Sequence, residues 1–190
     1  KKNIDSEFYI LCVDGFYKSE LSNIPPNISI KNYSELSDKE INLFEKIYQK
    51  YDDSKSDFFS SINSITHNDC LTISLDNNFI SKDHISIINI IENYEVSNFR
   101  KMIFCDKSSE VSFFEQFIDL CQGESFSSSV TEIYLSENSK FNFYSAQDFK
   151  ENYHYNSINT FQRRDSTSNF YTLSFSGSIV RNNLNICLND

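Results

Sequence analysis

Over the second two thirds of the chain, apolar and polar residues alternate with a period of two, which predicts β-strands. Residues 71–75 alternate Leu and Ile with Thr and Ser before the Asp76-Asn77-Asn78 turn. Towards the other end, Leu184, Ile186 and Leu188 alternate with Asn and Cys. Because successive side chains of a strand point to opposite faces, we expect each of these strands to bury one face.

These strands recur at a fixed distance. Residues 103–114 align with residues 133–144 at an offset of 30, and both segments consist of a strand, a polar turn ending in Ser, and a second strand. Residues 161–172 repeat the pattern at about the same spacing. Repeats of this length that leave no room for a helix favour a β-solenoid, in which each unit buries its apolar face against the next. An antiparallel β-sandwich is the competing interpretation.

The amino-terminal third follows a different pattern. An apolar run over residues 8–13 is followed by Asp14-Gly15 and a second apolar pair, which predicts a β-hairpin. Pro25-Pro26 then interrupts the chain, and residues 28–30 with Tyr33 are predicted to form another strand.

Two helices are predicted next. Ser37 and Glu40 have the spacing of a capping box at a helix start. The apolar face of this helix is predicted to contain Ile41, Phe44, Ile47, Tyr48 and Tyr51. A second helix is predicted over about residues 57–66, with Phe58, Phe59, Ile62 and Ile65 facing inward. Residues 1–66 are therefore interpreted as a small α/β cap, and residues 67–190 as the solenoid core.

The charge of the chain limits the classes of partner. Its formal net charge is −10, which argues against a protein that grips nucleic-acid phosphates, since that needs clustered Lys and Arg. No apolar run reaches the length of a membrane span. We therefore predict neither a nucleic acid nor a membrane as partner.

The cysteines indicate the compartment. The five cysteines are an odd number without CxxC spacing, which suits free thiols in a reducing compartment such as the cytoplasm. The chain starts without Met and its last residues are predicted to form a strand, so we expect it to be a piece of a longer protein.

A search for an active site finds little. His67, His84 and His154 are not paired with another His or Cys at metal-ligand spacing, and the thiols do not form the local runs that an iron–sulfur cluster needs. Nucleophile elbows and phosphate-binding loops are also absent from the sequence. We assign no catalytic, cofactor-binding or metal-binding residue. Cys187 is the least ordinary thiol, since the alternation places it opposite Leu184 and its apolar neighbours.

Two polar motifs leave alternatives open. Arg163-Arg164 is interpreted as part of a surface strand, with binding of an anion or of a partner's carboxylate as the alternative. Arg181-Asn182-Asn183 is interpreted as a corner where the chain bends between rungs, because Asn tolerates a left-handed backbone. A ligand site is the alternative for this motif.

The carboxyl-terminal half of the chain resembles a known protein family in its amino-acid sequence. The resemblance is carried by Val130-Thr131-Glu132-Ile133 with Glu137-Asn138-Ser139-Lys140-Phe141, and by Leu173-Ser174-Phe175-Ser176-Gly177 running into Ile179-Val180-Arg181-Asn182-Asn183-Leu184-Asn185. These sequence segments are similar to segments of the SufB/SufD scaffold proteins of iron–sulfur cluster assembly, and of SufD in particular. The amino-terminal part fits more loosely, in the order of its elements.

The resemblance implies a mainly β fold, a right-handed parallel β-helix preceded by the α/β cap with its two helices. It implies a non-enzymatic scaffold subunit of the cytoplasm, or of the plastid stroma, that acts with a SufB homologue and the SufC ATPase and has a link to iron supply. No cofactor is expected to bind stably to this chain, since the whole complex handles the cluster. The family segments that carry functional residues would follow Asp190, so none is transferred.

The runner-up hypothesis is an extracellular carbohydrate-active or adhesive β-helix protein. Such a protein typically gathers carboxylates on adjacent rungs beside aromatic platforms. The sequence contains no Trp and no visible acid cluster, so this hypothesis is disfavoured.

Overall fold

A computed structural model describes residues 6–48, 57–92 and 96–189. The described chain is mainly β, with two helices before a β-solenoid of about four turns. The strands are β1 (Tyr9–Val13), β2 (Phe16–Tyr17), β3 (Ile28–Asn32), β4 (Cys70–Leu75), β5 (Ile85–Ile91), β6 (Val96–Cys105), β7 (Glu110–Asp119), β8 (Ser125–Leu135), β9 (Lys140–Asp148), β10 (Asn152–Gln162), β11 (Thr167–Ser176) and β12 (Ile179–Leu188). The helices are α1 (Asp38–Ile47) and α2 (Phe58–Thr66), and short 3₁₀ turns cover Ser19–Leu21 and Tyr33–Glu35.

The strands form two sheets that face each other across the core. Sheet A has the order β11-β9-β7-β5-β1-β2, and sheet B has the order β12-β10-β8-β6-β4-β3. From β4 onward, consecutive strands alternate between the sheets, and neighbours within each sheet run parallel. This confirms the solenoid and excludes the antiparallel sandwich. The right-handed course of the coil stays a prediction that the resemblance implies, and it agrees with the general preference for right-handed crossovers.

The strands before the solenoid extend both of its sheets. β1 pairs in parallel with β5, and β3 pairs antiparallel with β4. β1 and β2 form the predicted hairpin, whose turn residues Asp14 and Gly15 have φ values of 49° and 85°, as a two-residue hairpin turn requires. The division into domains at residues 66 and 67 stays a prediction.

The register confirms the sequence repeat. Ile103 pairs with Ile133, and Val111 pairs with Phe141, so the aligned positions of the repeat are neighbours on adjacent strands. The next turn of the coil is shorter, since Tyr134 pairs with Phe161 and not with a residue at the full offset. The inward apolar side chains of both sheets therefore stack in columns and form one core, which includes Ile73, Ile103, Ile133, Phe113, Phe141 and Phe143.

One corner of the coil repeats a single turn. This first corner comprises residues 76–79, 106–109, 136–139 and 163–166, which connect sheet B to sheet A. In each turn one residue has a left-handed backbone: Asn78, Ser108, Asn138 and Asp165, with φ values of 60°, 57°, 59° and 59°. The backbone N–H groups of the first three donate to carbonyl groups of the next rung at 2.9–3.1 Å. In the last three turns, the residue after the left-handed one is a Ser. Its hydroxyl donates to the backbone carbonyl three residues earlier at 2.7–2.8 Å.

Helix α1 matches its prediction. The Ser37–Glu40 capping box is present, and Phe44 and Ile47 are buried against Met102 and Phe104 on the outer face of sheet B. The predicted contribution of Tyr51 lies outside the described residues.

Helix α2 is present. Its predicted inward face is correct at Phe59, whose ring packs against Phe126 and Tyr155 of sheet B, but wrong at Phe58 and Ile65. Phe58 and Ile65 are 68% and 83% exposed, whereas Ser60 and Asn63 are buried. The outer face of sheet B is polar where the helix lies, so Asn63 donates to Ser128 Oγ at 2.7 Å and to the carbonyl of Phe99 at 3.2 Å. Since buried amides need partners, the polar side of the helix turns inward.

The first corner gives a stability prediction. Asn138 is exposed and has a left-handed backbone, so we expect Asn138→Gly to change stability little. Asn138→Val should lower the free energy of unfolding by about 1–2 kcal/mol, because a β-branched residue resists this conformation. Both substitutions remove the bond to Ser108, so each is the other's control. Chemical denaturation measures the difference, and equal stabilities would contradict the assigned turn.

Candidate functional site

The interior of the solenoid contains a column of polar side chains beside the apolar core. Its centre is formed by Asn89, Lys101, Glu115, Ser129 and Ser145, all at most 1% exposed. Strand alternation explains why they point inward. Lys101 lies between the core residues Phe99 and Ile103 on β6, and Glu115 occupies the corresponding inward position on β7.

The column is built around a buried ion pair. Lys101 Nζ lies 2.9 Å from Glu115 Oε1 and donates to Ser129 Oγ at 3.0 Å. Asn89 Nδ2 donates to the same carboxylate at 2.9 Å. The Lys101 ammonium also lies about 6 Å from the ring centres of Phe99 and Phe117, at the outer limit of a cation–π contact. The pair joins sheet A to sheet B through the middle of the molecule.

Amide side chains continue the column towards β12. Gln147 and Asn182 form a reciprocal amide pair with N···O distances of 2.9 and 3.1 Å. Asn156 Nδ2 donates to Asn182 Oδ1 at 3.0 Å, and Ser174 Oγ donates to Gln147 at 2.7 Å. These contacts connect β9, β10, β11 and β12. They are chemically neutral and fix the relative positions of four strands.

The prediction that Arg181-Asn182-Asn183 forms a corner is wrong, because the motif lies within β12. Asn182 points into the column, while its neighbours point outward. Asn183 Nδ2 donates to Asp57 Oδ2 at 2.7 Å, and the Arg181 guanidinium lies 3.7 Å from the same oxygen. In β12 the strand alternation takes precedence over the tolerance of Asn for turns.

Asp57 connects helix α2 to the solenoid. Its carboxylate caps the helix by accepting from Phe59 N–H at 3.1 Å, and it accepts from the Tyr155 hydroxyl at 2.6 Å. Burial, followed by the bond to this carboxylate, raises the pKa of Tyr155. The cluster positions the helix and keeps the phenol protonated, so it is a structural contact between the cap and the coil.

Of the three histidines considered in the sequence, His154 lies inside the coil. Its ring packs between Phe117 and Phe149, and Nδ1 lies 2.7 Å from Ser127 Oγ. Burial, with a smaller effect of Lys101, lowers its pKa from 6.5 to about 3. His67 follows α2 and contacts the Asn63 carbonyl, and His84 lies just before β5 against Phe114. The structure therefore places the three histidines in separate surroundings.

The cysteines divide into buried and accessible thiols. Burial raises the pKa of Cys12 and Cys70 to about 12 and also raises the pKa of Cys105. Since the thiolate is the reactive form, these three thiols are inert in the folded chain. Cys187 is partly exposed and points to the face opposite Leu184, Ile186 and Leu188, as predicted. Among the described residues, no group of three or more His, Cys, Asp and Glu side chains could hold a metal ion.

The prediction that Arg163-Arg164 lies on a surface strand is wrong. The doublet occupies the first corner between β10 and β11, at the positions that Ser136 and Glu137 take one rung earlier. Both arginines precede the left-handed residue Asp165, whose carboxylate lies 3.4 Å from Arg164 Nε. The shorter repeat in this turn of the coil explains the error, because it moves the turn onto the doublet.

The comparison with protein families identifies the coil. The SufBD core domain of the SUF system for iron–sulfur cluster assembly matches residues 87–190, more than half of the chain. The chain belongs to the SufBD core family. A search of curated proteins finds no match. The matched residues begin within β5 and include every later strand, so the SufBD core covers the parallel coil from β5 onward, together with its polar column.

The sequence analysis missed the central pair of this SufBD core. Charged residues on a strand usually face solvent, so their residue type alone does not indicate that Lys101 and Glu115 are buried. A signal was present, since each occupies the inward phase of an alternating strand, between Phe99 and Ile103 or between Phe113 and Phe117. The partner across the sheets could not be found without the length of the turn that joins them.

The buried pair gives a prediction about the SufBD core. Lys101→Met should lower the free energy of unfolding by about 3–5 kcal/mol, because it leaves Glu115 buried and unpaired. The double variant Lys101→Met/Glu115→Leu should recover most of this loss. Lys140→Met, which breaks the exposed pair with Glu110 at 3.2 Å, should cost less than about 1 kcal/mol. Chemical denaturation of all three tests the idea. A Lys101 variant as mild as the Lys140 control would contradict it.

The buried His154 is expected to make the free energy of unfolding depend on pH. Its pKa is about 3 in the folded chain, below the ordinary value of 6.5, so between these values the unfolded chain binds the extra proton. Neutral His154 therefore contributes stability above pH 6.5, and the contribution falls by up to about 1.4 kcal/mol per pH unit as the pH drops towards 3.

Denaturation midpoints at pH 7.5 and 5 measure this effect. His154→Gln should reduce the dependence of stability on pH, whereas His84→Gln, at a partly exposed position, serves as the control. Parallel pH profiles for the wild type and His154→Gln would refute the assignment.

Proposed function

We propose that this SufBD core chain is a non-enzymatic scaffold subunit of iron–sulfur cluster assembly, SufD-like, that works with a SufB homologue and the SufC ATPase. The observation that carries the proposal is the agreement of the family match over residues 87–190 with the parallel coil from β5 to β12. A link to iron supply is part of the same proposal. No stably bound cofactor is proposed for this chain, since the cluster is the cargo of the complex.

The buried chemistry supports a scaffold. The lysine and carboxylate of the interior neutralise each other at 2.9 Å, and the amide column is uncharged. The buried thiols are held protonated by the burial that raises the pKa of Cys12 and Cys70. The polar groups at the centre of the coil therefore fix strand positions, which is the property that an assembly platform needs.

The proposal that the chain is SufD-like and not SufB-like rests on the sequence segments near its carboxyl terminus. Residues 173–177 and 179–185 resemble SufD, and they form the end of β11 and most of β12, the edge strands at one end of the two sheets. The family match favours this role over the carbohydrate-active or adhesive hypothesis.

The compartment is proposed from the thiols. All five cysteines are free, which fits the cytoplasm or the plastid stroma as the place of work. None of the helices in the described parts of the chain is long and apolar enough to cross a membrane.

Co-purification tests the proposed function. The tagged chain is co-expressed with the SufB-like and SufC-like proteins of its source, and the eluate is analysed by size-exclusion chromatography with light scattering. We expect the three proteins to elute as one complex whose ATPase activity is lost when the SufC-like protein is omitted. A tagged acidic β-helix protein from another family is the control.

Recovery of the chain alone, while the SufB-like and SufC-like proteins elute together, would contradict the scaffold role. The iron content of the complex, measured with and without this chain, tests the link to iron supply. Equal iron contents would remove that part of the proposal.

A further inference from the structure

The two outer faces of the solenoid differ. Helices α1 and α2 lie against sheet B, through Phe44 and Ile47 of the first helix and Asn63 of the second. Sheet A instead carries an open groove of about 920 Å³ on its outer face. The groove is therefore a separate feature from the interior column and from the surface that the helices cover.

The floor of the groove is apolar. It is formed by the outward side chains Leu11 of β1, Ile88 and Ile90 of β5, and Gln116 and Ile118 of β7. Asp148 at the end of β9 bounds the floor on the fourth strand, where the apolar surface gives way to a carboxylate. Four adjacent strands at a spacing of about 4.8 Å make the floor about 14 Å long, and its two rows of side chains lie about 7 Å apart.

One border of the groove, with Leu120, Asp148, Phe149, Lys150 and Ser176, lies at an acidic corner of the coil. The second corner of the coil, where sheet A passes to sheet B, carries five carboxylates and one ammonium group in the described residues. These are Glu92, Asp119, Glu124, Asp148, Glu151 and Lys150. None of these carboxylates belongs to an ion pair within the described chain. At the first corner, in contrast, Lys107 pairs with Glu137 at 3.0 Å and Arg164 pairs with Asp165 at 3.4 Å.

We propose that this groove binds a basic amphipathic helix of a protein partner. About nine residues of helix span 14 Å, so two to three turns would lie on the floor with apolar residues at positions i, i+3, i+4 and i+7. Lys and Arg on the flank of that helix would face the acidic corner. The net charge of −10 would further attract a basic partner and speed its association.

The charge also selects among the possible occupants. A second copy of this chain would bring another net charge of −10 against the acidic corner, and an anionic membrane would meet the same repulsion. A basic helix matches both the floor and the exposed carboxylates of this corner. Asp119 is not among them, since it is buried and accepts from the backbone N–H groups of Cys121 and Lys150. The proposal concerns a surface that the scaffold proposal does not use, so either can fail alone.

Three synthetic peptides of equal length, each able to form about four helical turns, test the groove by fluorescence anisotropy. The first has Leu at positions i, i+3, i+4 and i+7 and Lys on the other positions, the second replaces Lys by Glu, and the third replaces Leu by Ser. We expect the first to bind with a dissociation constant in the micromolar range and the other two at least about tenfold more weakly, because both contacts are needed. Equal binding of the Leu/Lys and Ser/Lys peptides would overturn the proposal by reducing it to a general charge effect.

Substitutions in the chain test whether the peptide binds in the groove. Ile118→Asp on the floor should weaken binding of the Leu/Lys peptide about 30-fold, whereas Ile80→Asp, at an exposed apolar position outside the groove, should leave it unchanged. Gln116→Arg provides a second floor variant should the first fail to fold, which circular dichroism reports. Asp148→Asn/Glu151→Gln should weaken binding and lessen its dependence on salt.

Unchanged binding by a folded floor variant would overturn the proposal. Retention of the chain on vesicles of phosphatidylcholine and phosphatidylserine, without binding of the Leu/Lys peptide, would also overturn it and assign the groove to lipid.

Discussion

The parallel stacking of one rung on the next is the constraint on which the whole structure depends. Each strand of the coil pairs with the equivalent strand of the following rung, so side chains lie above their counterparts, apart from a register shift between Ser174 and Ser176 at the end of β11. This register aligns the left-handed residues of the first corner, the apolar columns of the core and the polar column beside them. A shift by one residue would move every inward side chain to the outer face.

The interior of the coil both stabilises the fold and specifies the alignment of its strands. The columns of Ile and Phe supply the hydrophobic term, which a lone rung could not obtain. The Lys101–Glu115 pair adds little net stability, because the cost of desolvation offsets the attraction. It does penalise any register that separates the two charges in a dry interior. The amide pair of Gln147 and Asn182 penalises such shifts less, because it is neutral and Asn182 is exposed. We infer that the polar column selects one alignment of the sheets, on which a scaffold's surfaces depend.

Local signals in the sequence predicted local structure, whereas long-range contacts decided the rest. The capping box at Ser37, the Asp14-Gly15 hairpin and the offset between the aligned repeats were correct because each depends on neighbouring residues or on strict repetition. The inward face of α2 was correct at Phe59 but wrong at Phe58 and Ile65, since the polarity of the sheet beneath Asn63 is set only when β6 and β8 are assembled. The Lys101–Glu115 pair could not be predicted, because the turn between β6 and β7 decides which residues meet across the core.

Disulfide cross-linking tests the register most directly. Ser112 and Asn142 are paired on the outer face of sheet A, with Asn142 Nδ2 donating to Ser112 Oγ at 3.1 Å, and Asn169 lies one strand beyond. In a chain whose accessible Cys121 and Cys187 are replaced by Ser, mild oxidation should join the Ser112→Cys/Asn142→Cys pair. It should leave the Ser112→Cys/Asn169→Cys pair reduced, since two strand spacings of about 9.6 Å exceed the reach of a disulfide. Efficient cross-linking of the second pair and not the first would contradict the stacked coil.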